Sequence, residues 1–202
     1  MIVKICGITR LEDALASAEE GAAAVGFIFV RTSPRYIAPA AAAEIIRKLS
    51  PFICPVGVFV NEPRADLLAT IERTKIRCLQ FHGEEPPADT VGYPVPVIKS
   101  FRVGDGFDPS VIGSYSLPAY LLDAAVPGMH GGTGKTFDWG KVREAAPYGR
   151  IILSGGITPG NAAVASRTAR PYAIDVSSGV ESSPGVKDRQ KIQDLFENLR
   201  SA

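Results

Sequence analysis

Two side chains in this sequence close apolar runs and are suited to moving a proton. Cys6 ends Ile2-Val3-Lys4-Ile5-Cys6, and Asp123 ends Ala119-Tyr120-Leu121-Leu122-Asp123. A thiol beside a cation is a candidate general base, and a carboxyl at an apolar strand end, next to a loop able to exclude water, is a candidate general acid. The bland alternatives are a small buried apolar cysteine and an aspartate that caps a turn. Strand alternation puts Lys4 on the face of Cys6, while Val3 and Ile5 suit the opposite, helix-packed face. A lysine turned inward needs an anion, and Asp175 in Ala173-Ile174-Asp175-Val176 is the candidate partner. The positive charge would favour the Cys6 thiolate, whose reference pKa of about 8.5 costs roughly 2 kcal/mol to ionise at neutrality.

Other residue types point to an anionic ligand. Two apolar runs, Arg150 to Leu153 and Ala173 to Val176, each end in small, donor-rich residues: Ser154-Gly155-Gly156 and Ser177-Ser178-Gly179. Glycine lets backbone N–H groups approach an anion, and a helix N-terminus beyond it adds unpaired donors. Either pair alone reads as turn residues. Two in succession near the C-terminus match the phosphate site after strands seven and eight of a (β/α)8 barrel, with Gly155, Gly156, Ser178 and Gly179 as its candidates. Arg35, in Ser33-Pro34-Arg35-Tyr36, offers a guanidinium fork for a carboxylate, against the alternative of a solvated loop arginine. His82 lies on the face of Gln80 at a strand end, where it would bond substrate or only satisfy its neighbours.

Positioning these groups requires strands. Short β-branched runs alternate with Ala-, Glu- and Leu-rich runs of helical period, the pattern of a parallel α/β sheet. Strands are expected at 2–6, 24–30, 55–60, 78–82, 95–101, 119–123, 150–153 and 173–176, which makes eight βα units and a TIM barrel. The first helix should run from 11 to 20 with Thr9 as N-cap and Gly21 as stop, and a final amphipathic helix from 188 to 199 should bury Ile192, Leu195, Phe196 and Leu199. The fourth unit has room only for a short helix. The glycine-rich segment from Ala124 to Thr136 reads as a loop that closes over a ligand. No linker or composition shift divides residues 1–202, so one domain is expected; an open flavodoxin-like sheet would leave two strand-like runs unexplained.

Composition removes several function classes. A formal net charge of +1, with basic residues dispersed, gives no field for nucleic acid or an anionic membrane. The longest apolar runs fall short of the ~20 residues that span a bilayer, and the expectation is a cytoplasmic protein. Three cysteines, Cys6, Cys54 and Cys78, lack CxxC spacing, and two histidines, His82 and His130, stand far apart, so no metal is expected. Cys54 precedes the third expected strand and Cys78 begins the fourth, away from a catalytic mouth. Gly131-Gly132-Thr133-Gly134-Lys135-Thr136 has the look of a nucleotide P-loop, but residue 129 is Met where that motif needs glycine.

Lys4-Ile5-Cys6-Gly7-Ile8-Thr9, Ser33-Pro34-Arg35, Gln80-Phe81-His82-Gly83, Leu122-Asp123, Gly131-Gly132-Thr133-Gly134, Ser154-Gly155-Gly156-Ile157 and Asp175-Val176-Ser177-Ser178-Gly179-Val180-Glu181 together resemble the phosphoribosylanthranilate isomerases of tryptophan biosynthesis. The resemblance runs in order from the first strand to the last helix. It implies an Amadori rearrangement of N-(5-phosphoribosyl)anthranilate, with Asp123 as general acid on the furanose oxygen and Cys6 as general base at C2′. It also implies that Arg35 binds the anthranilate carboxylate, that His82 and Asp175 lie against the substrate, and that the Gly155-Gly156 and Ser178-Gly179 backbones hold the phosphate. No cofactor is implied, because the substrate nitrogen serves as electron sink. The partner would be this small molecule, without nucleic acid or membrane, and the chain a monomer or homodimer. Two rivals remain: another phosphosugar barrel enzyme, for which Lys4 or Lys99 would serve as the catalytic lysine, and a non-catalytic binder of phosphorylated metabolites.

Overall fold

Eight parallel strands close into a barrel in sequence order. The computed structural model describes residues 1–104, 106–124 and 137–201. The strands are β1 (Ile2–Cys6), β2 (Ala24–Ile28), β3 (Cys54–Phe59), β4 (Cys78–Phe81), β5 (Val97–Val103), β6 (Ala119–Ala124), β7 (Ile151–Leu153) and β8 (Ala173–Val176). Between and after them lie α1 (Leu11–Glu20), α2 (Pro39–Ile46), α3 (Arg64–Thr74), α4 (Gly140–Ala145), α5 (Pro159–Ala169) and α6 (Arg189–Arg200). Single 3-10 turns at Pro87–Thr90 and Pro109–Ser114 replace the helices after β4 and β5. Among the described residues, no helix is long and apolar enough to cross a membrane.

The strands read as continuous apolar runs because both of their faces are buried. Val3, Ile5, Val25, Phe27, Leu79, Phe81, Tyr120, Leu122 and Ile174 face outward into the main core with the helices. A separate interior cluster of Ala119, Leu121, Ile152 and Ala173, with Ile98 against it, fills the N-terminal half of the barrel. Above it the inner wall becomes polar, with Lys4, Gln80, Ser100, Asp123 and Asp175 all buried. Ring closure sets Lys4 opposite Asp175 in the β1–β8 register. Outside the ring, α6 buries Ile192, Leu195, Phe196 and Leu199 as its periodicity requires, packing on α5 and α1.

Several details depart from the sequence expectations. Thr9 does not cap α1; Arg10 takes the N-cap position, and the Thr9 hydroxyl instead donates to the Gly185 carbonyl. The reason is tertiary, because a hairpin of β9 (Glu181–Ser183) and β10 (Val186–Lys187) follows β8 and lies against the β1 loop. The ends of β2 and β5 shift by two residues or so, at positions where propensity is a weak guide to where ladder bonds stop. The expected closing loop and the glycine motif at 131–134, with His130, lie outside the described residues apart from Ala124.

Candidate active site

At the C-terminal end of β1 the thiol of Cys6 sits in a space that glycine makes. Gly26 is its register neighbour on β2, and a Cβ there would lie 2.7 Å from Sγ and 3.1 Å from the Lys4 Cε. Lys4 donates to the Asp175 carboxylate at 2.8 Å, with both side chains almost wholly buried. Burial works against the Lys4 charge, yet Asp175 and Cys6 outweigh it and raise the lysine's pKa. For Cys6 the expected balance reverses. Burial raises the thiol's pKa above its ordinary value, and the opposing pull of Lys4, with a smaller one from Lys187, does not restore it. Asp175 adds to that rise and offsets part of the lysine's pull.

Arg35 arrives beside this centre from the loop after β2. Its side chain runs over Gly7, whose φ of +78° leaves room where a Cβ would fall 2.7 Å from the Arg35 Cδ. Sequence reasoning supplied Arg35 with no partner inside the protein. The structure gives it one: Nε and Nη2 donate to the two oxygens of Glu181 at 2.8 and 2.7 Å. Lys187, fully buried, donates to the same carboxylate at 2.8 Å and to the Ser177 carbonyl at 3.1 Å. Burial disfavours the Glu181 charge, but Arg35 and Lys187 hold its pKa below the usual carboxylate value. The backbone N–H of Lys187 donates in turn to Asp13, which takes the Arg10 guanidinium.

Asp123 lies on β6, three strands from β1 by way of β7 and β8, at the same end of the barrel. It is 4% exposed, and its Oδ1 accepts from the Ala124 N–H at 3.0 Å. The His82 Nε2 approaches Oδ2 at 3.2 Å without the alignment of a hydrogen bond. The Gln80 amide nitrogen faces the His82 Nδ1 at 3.2 Å. In that arrangement Nδ1 accepts, and the ring proton falls on Nε2, toward the carboxylate. Gln80 Oε1, Ser100 Oγ and Ser177 Oγ are also buried without a hydrogen-bond partner among the described residues. With His82 they line the inner wall on β4, β5 and the end of β8, where a polar ligand would satisfy them.

The two glycine-bearing turns adjoin both centres. Gly155 and Gly156 take φ of +82° and +64°, consecutive left-handed positions open to glycine without strain. A Cβ on Gly155 would lie 2.5 Å from the Ala124 nitrogen and 3.0 Å from the Asp123 Oδ1, so this turn packs directly on the candidate acid. A Cβ on Gly179 would lie 1.9 Å from the Ile157 carbonyl oxygen, so the turns after β7 and β8 meet backbone to backbone. Ser178 opens the short 3-10 turn that carries Gly179. Asn161, in the first turn of α5, accepts from the Thr158 N–H at 2.8 Å and donates to the Gly156 carbonyl at 2.9 Å, clamping the glycine turn to the helix.

Glu181, Lys187 and Asn161 are the positions that sequence reasoning left without a role. Glu181 ended a motif already singled out, so an acid six residues from a lysine was visible there, but its pairing with Arg35 crosses 146 positions. Lys99, considered as a catalytic lysine, lies on the outward face of β5 and donates to Glu85 and to the Gly83 and Ser100 carbonyls. It braces the loop after β4. Cys54 and Cys78 begin β3 and β4 at the far end of the barrel from Cys6.

Residues 3–198 match the family described as N-(5'phosphoribosyl)anthranilate (PRA) isomerase. A Pelobacter propionicus protein named N-(5'-phosphoribosyl)anthranilate isomerase is 50% identical over 194 residues, 96% of this chain and 93% of its own length. A phosphoribosyl anthranilate isomerase crystal structure from Thermus thermophilus superimposes with a TM-score of 0.92 at 42% identity, covering 100% of this chain and 99% of the other. Another such isomerase, crystallised with reduced 1-(o-carboxyphenylamino)-1-deoxyribulose 5-phosphate, gives a TM-score of 0.87 at 39% identity, covering 100% of both chains.

Proposed function

The chain belongs to the N-(5'-phosphoribosyl)anthranilate isomerase family, and we propose that it works through Cys6 and Asp123 as a proton-transferring pair. It is an isomerase of tryptophan biosynthesis that converts N-(5-phosphoribosyl)anthranilate to 1-(2-carboxyphenylamino)-1-deoxyribulose 5-phosphate. In the reading we put forward, the Asp123 carboxyl protonates the furanose oxygen as the C1′–O bond breaks and the nitrogen lone pair forms the iminium. The Cys6 thiolate then removes the C2′ proton, and those electrons flow to the iminium nitrogen to give an enolamine. The Cys6 thiol then returns a proton to C1′ and the enol proton passes to the Asp123 carboxylate, giving the ketone and restoring both groups, so no proton is gained or lost over the cycle.

The observation that carries this reading is the placement of both groups. Cys6 lies beside Arg35, and Asp123 lies beside Gly155, at one end of one barrel. A substrate anchored by its phosphate on the Gly155-Gly156 and Ser178-Gly179 turns, with its carboxylate toward Arg35, would lie with its ribose between the two. His82, whose Nε2 lies 3.2 Å from the Asp123 Oδ2 and makes no hydrogen bond among the described residues, would bond the substrate there, and Asp175 would act on the substrate side through Lys4. We further propose that residues 1–202 act as one catalytic unit in the cytoplasm, as a monomer or homodimer, without cofactor or metal.

The test is direct. Supplied with N-(5-phosphoribosyl)anthranilate generated in situ, the chain should consume the substrate's anthranilate fluorescence at an enzymatic rate. A fluorescence trace indistinguishable from the uncatalysed decay would remove the reading.

A further inference from the structure

The Arg35 fork presents a problem of charge. Its Nε and Nη2 are already given to a carboxylate inside the protein, Glu181, while Nη1 makes no hydrogen bond among the described residues. A guanidinium so paired is neutralised as seen by a second carboxylate, which would meet like charge from Glu181 as well as attraction from Arg35. A carboxylate reader built this way would repel half of what it attracts.

Lys187 changes the sum. Its side chain has 0% exposure, it reaches Glu181 Oε1 at 2.8 Å, and it is fixed by the Ser177 carbonyl at 3.1 Å. Lys187, Arg35 and Glu181 together carry one net positive charge where little water screens it; burial lowers the Lys187 pKa, and the Glu181 carboxylate opposes that. The lysine is held there by a hairpin outside the eight-strand ring. The β9–β10 hairpin carries both Glu181 and Lys187, the Lys187 N–H is tied to Asp13 at 3.0 Å, and the Lys191 Nζ fixes the Glu181 carbonyl at 2.7 Å. Glu181 meanwhile grips one edge of the guanidinium with two parallel bonds and so sets its plane.

We propose that Lys187 is a specificity-determining positioning residue: acting through Glu181, it returns a positive charge to the Arg35 fork so that the fork accepts the aryl carboxylate of the substrate. This rests on the reading above that Arg35 receives that carboxylate.

The experiment compares two substrates by steady-state kinetics: N-(5-phosphoribosyl)anthranilate and the same phosphoribosylamine made from aniline, which lacks the carboxylate. The quantity read is the ratio of their kcat/KM values. Lys187→Met should cut the ratio by roughly tenfold or more, through KM for the anthranilate substrate, while Lys187→Arg holds it within about threefold. The double variant Glu181→Gln with Lys187→Met removes anion and cation together, leaves Arg35 its own charge, and should keep the ratio within about threefold of the unaltered chain. If Lys187→Met does not fold, Lys187→Gln, which keeps a polar side chain there without the charge, carries the test with the same loss of ratio expected. An unchanged ratio in Lys187→Met, equal losses on both substrates, or a double variant that has lost the ratio would each overturn the proposal. Failure of the underlying reading looks different: the unaltered chain would turn over neither substrate, or would not distinguish them.

Discussion

At the scale of single residues, the site depends on what is absent as much as on what is present. Gly26 is not at a turn; it is in the middle of the barrel wall, and its missing side chain is the space in which Cys6 and Lys4 lie. Gly26→Ala would set a methyl 2.7 Å from Sγ and 3.2 Å from the Cys6 Cα, so the strand or the thiol must move. The expected cost is about 1–3 kcal/mol in urea unfolding, with kcat reduced by more than KM is raised. Unaltered kcat would show that the thiol's position does not matter. The Cys6 pKa bears on activity with a definite sign. Because burial raises it, and because the base must be the thiolate, kcat/KM should climb with pH along a limb centred above the ordinary thiol value of about 8.5. A limb centred below that value would mean that another group is the base. Both the thiol and Lys4 were legible from strand alternation alone. The direction of the thiol's shift was not, because it follows first from how deeply the thiol is buried and then from how far Asp175 offsets the pull of Lys4, and alternation says nothing of depth.

At the scale of elements, loops after five different strands (β1, β2, β4, β7 and β8) build the site, and the contacts between them decide its shape. The sequence displays each βα unit through its own period, and the eight strands are found within a few residues of where periodicity puts them. The β9–β10 hairpin was not legible. Its strands are three and two residues long, too short for alternation to register, and they are held because Glu181 pairs with Arg35 on the loop after β2 and the Lys187 N–H with Asp13 in α1. The clamp made by Asn161 is of the same kind, a side chain whose value lies in joining α5 to the glycine turn. Asn161→Ala should raise KM severalfold with kcat nearly kept, and cost about 1 kcal/mol or so of stability for the lost hydrogen bonds. A variant with normal KM would detach the turn at Gly155-Gly156 from phosphate binding.

At the scale of the whole molecule, a closed ring must join its first strand to its last, and here that seam carries a buried ion pair. Lys4→Met would leave Asp175 buried and unpaired, at an expected cost of about 3–5 kcal/mol in denaturant unfolding; changing Lys4 and Asp175 together to apolar residues should cost much less. A single variant as stable as the unaltered chain would show that the seam is held by its backbone ladder alone. Ring closure itself was legible from the count of apolar runs and from the two glycine-bearing turns at the end of the chain. The meeting of Cys6 and Asp123 at one mouth followed from the same count, since the ordering of eight strands brings the ends of the first and sixth to one end of the barrel. The central claim is that a thiol on β1 and a carboxyl on β6 share the two proton transfers. Steady-state kinetics of Cys6→Ala and Asp123→Asn with N-(5-phosphoribosyl)anthranilate test it most directly. The account predicts that each variant loses roughly two or more orders of magnitude in kcat with little change in KM. Near-normal kcat in either one would contradict it.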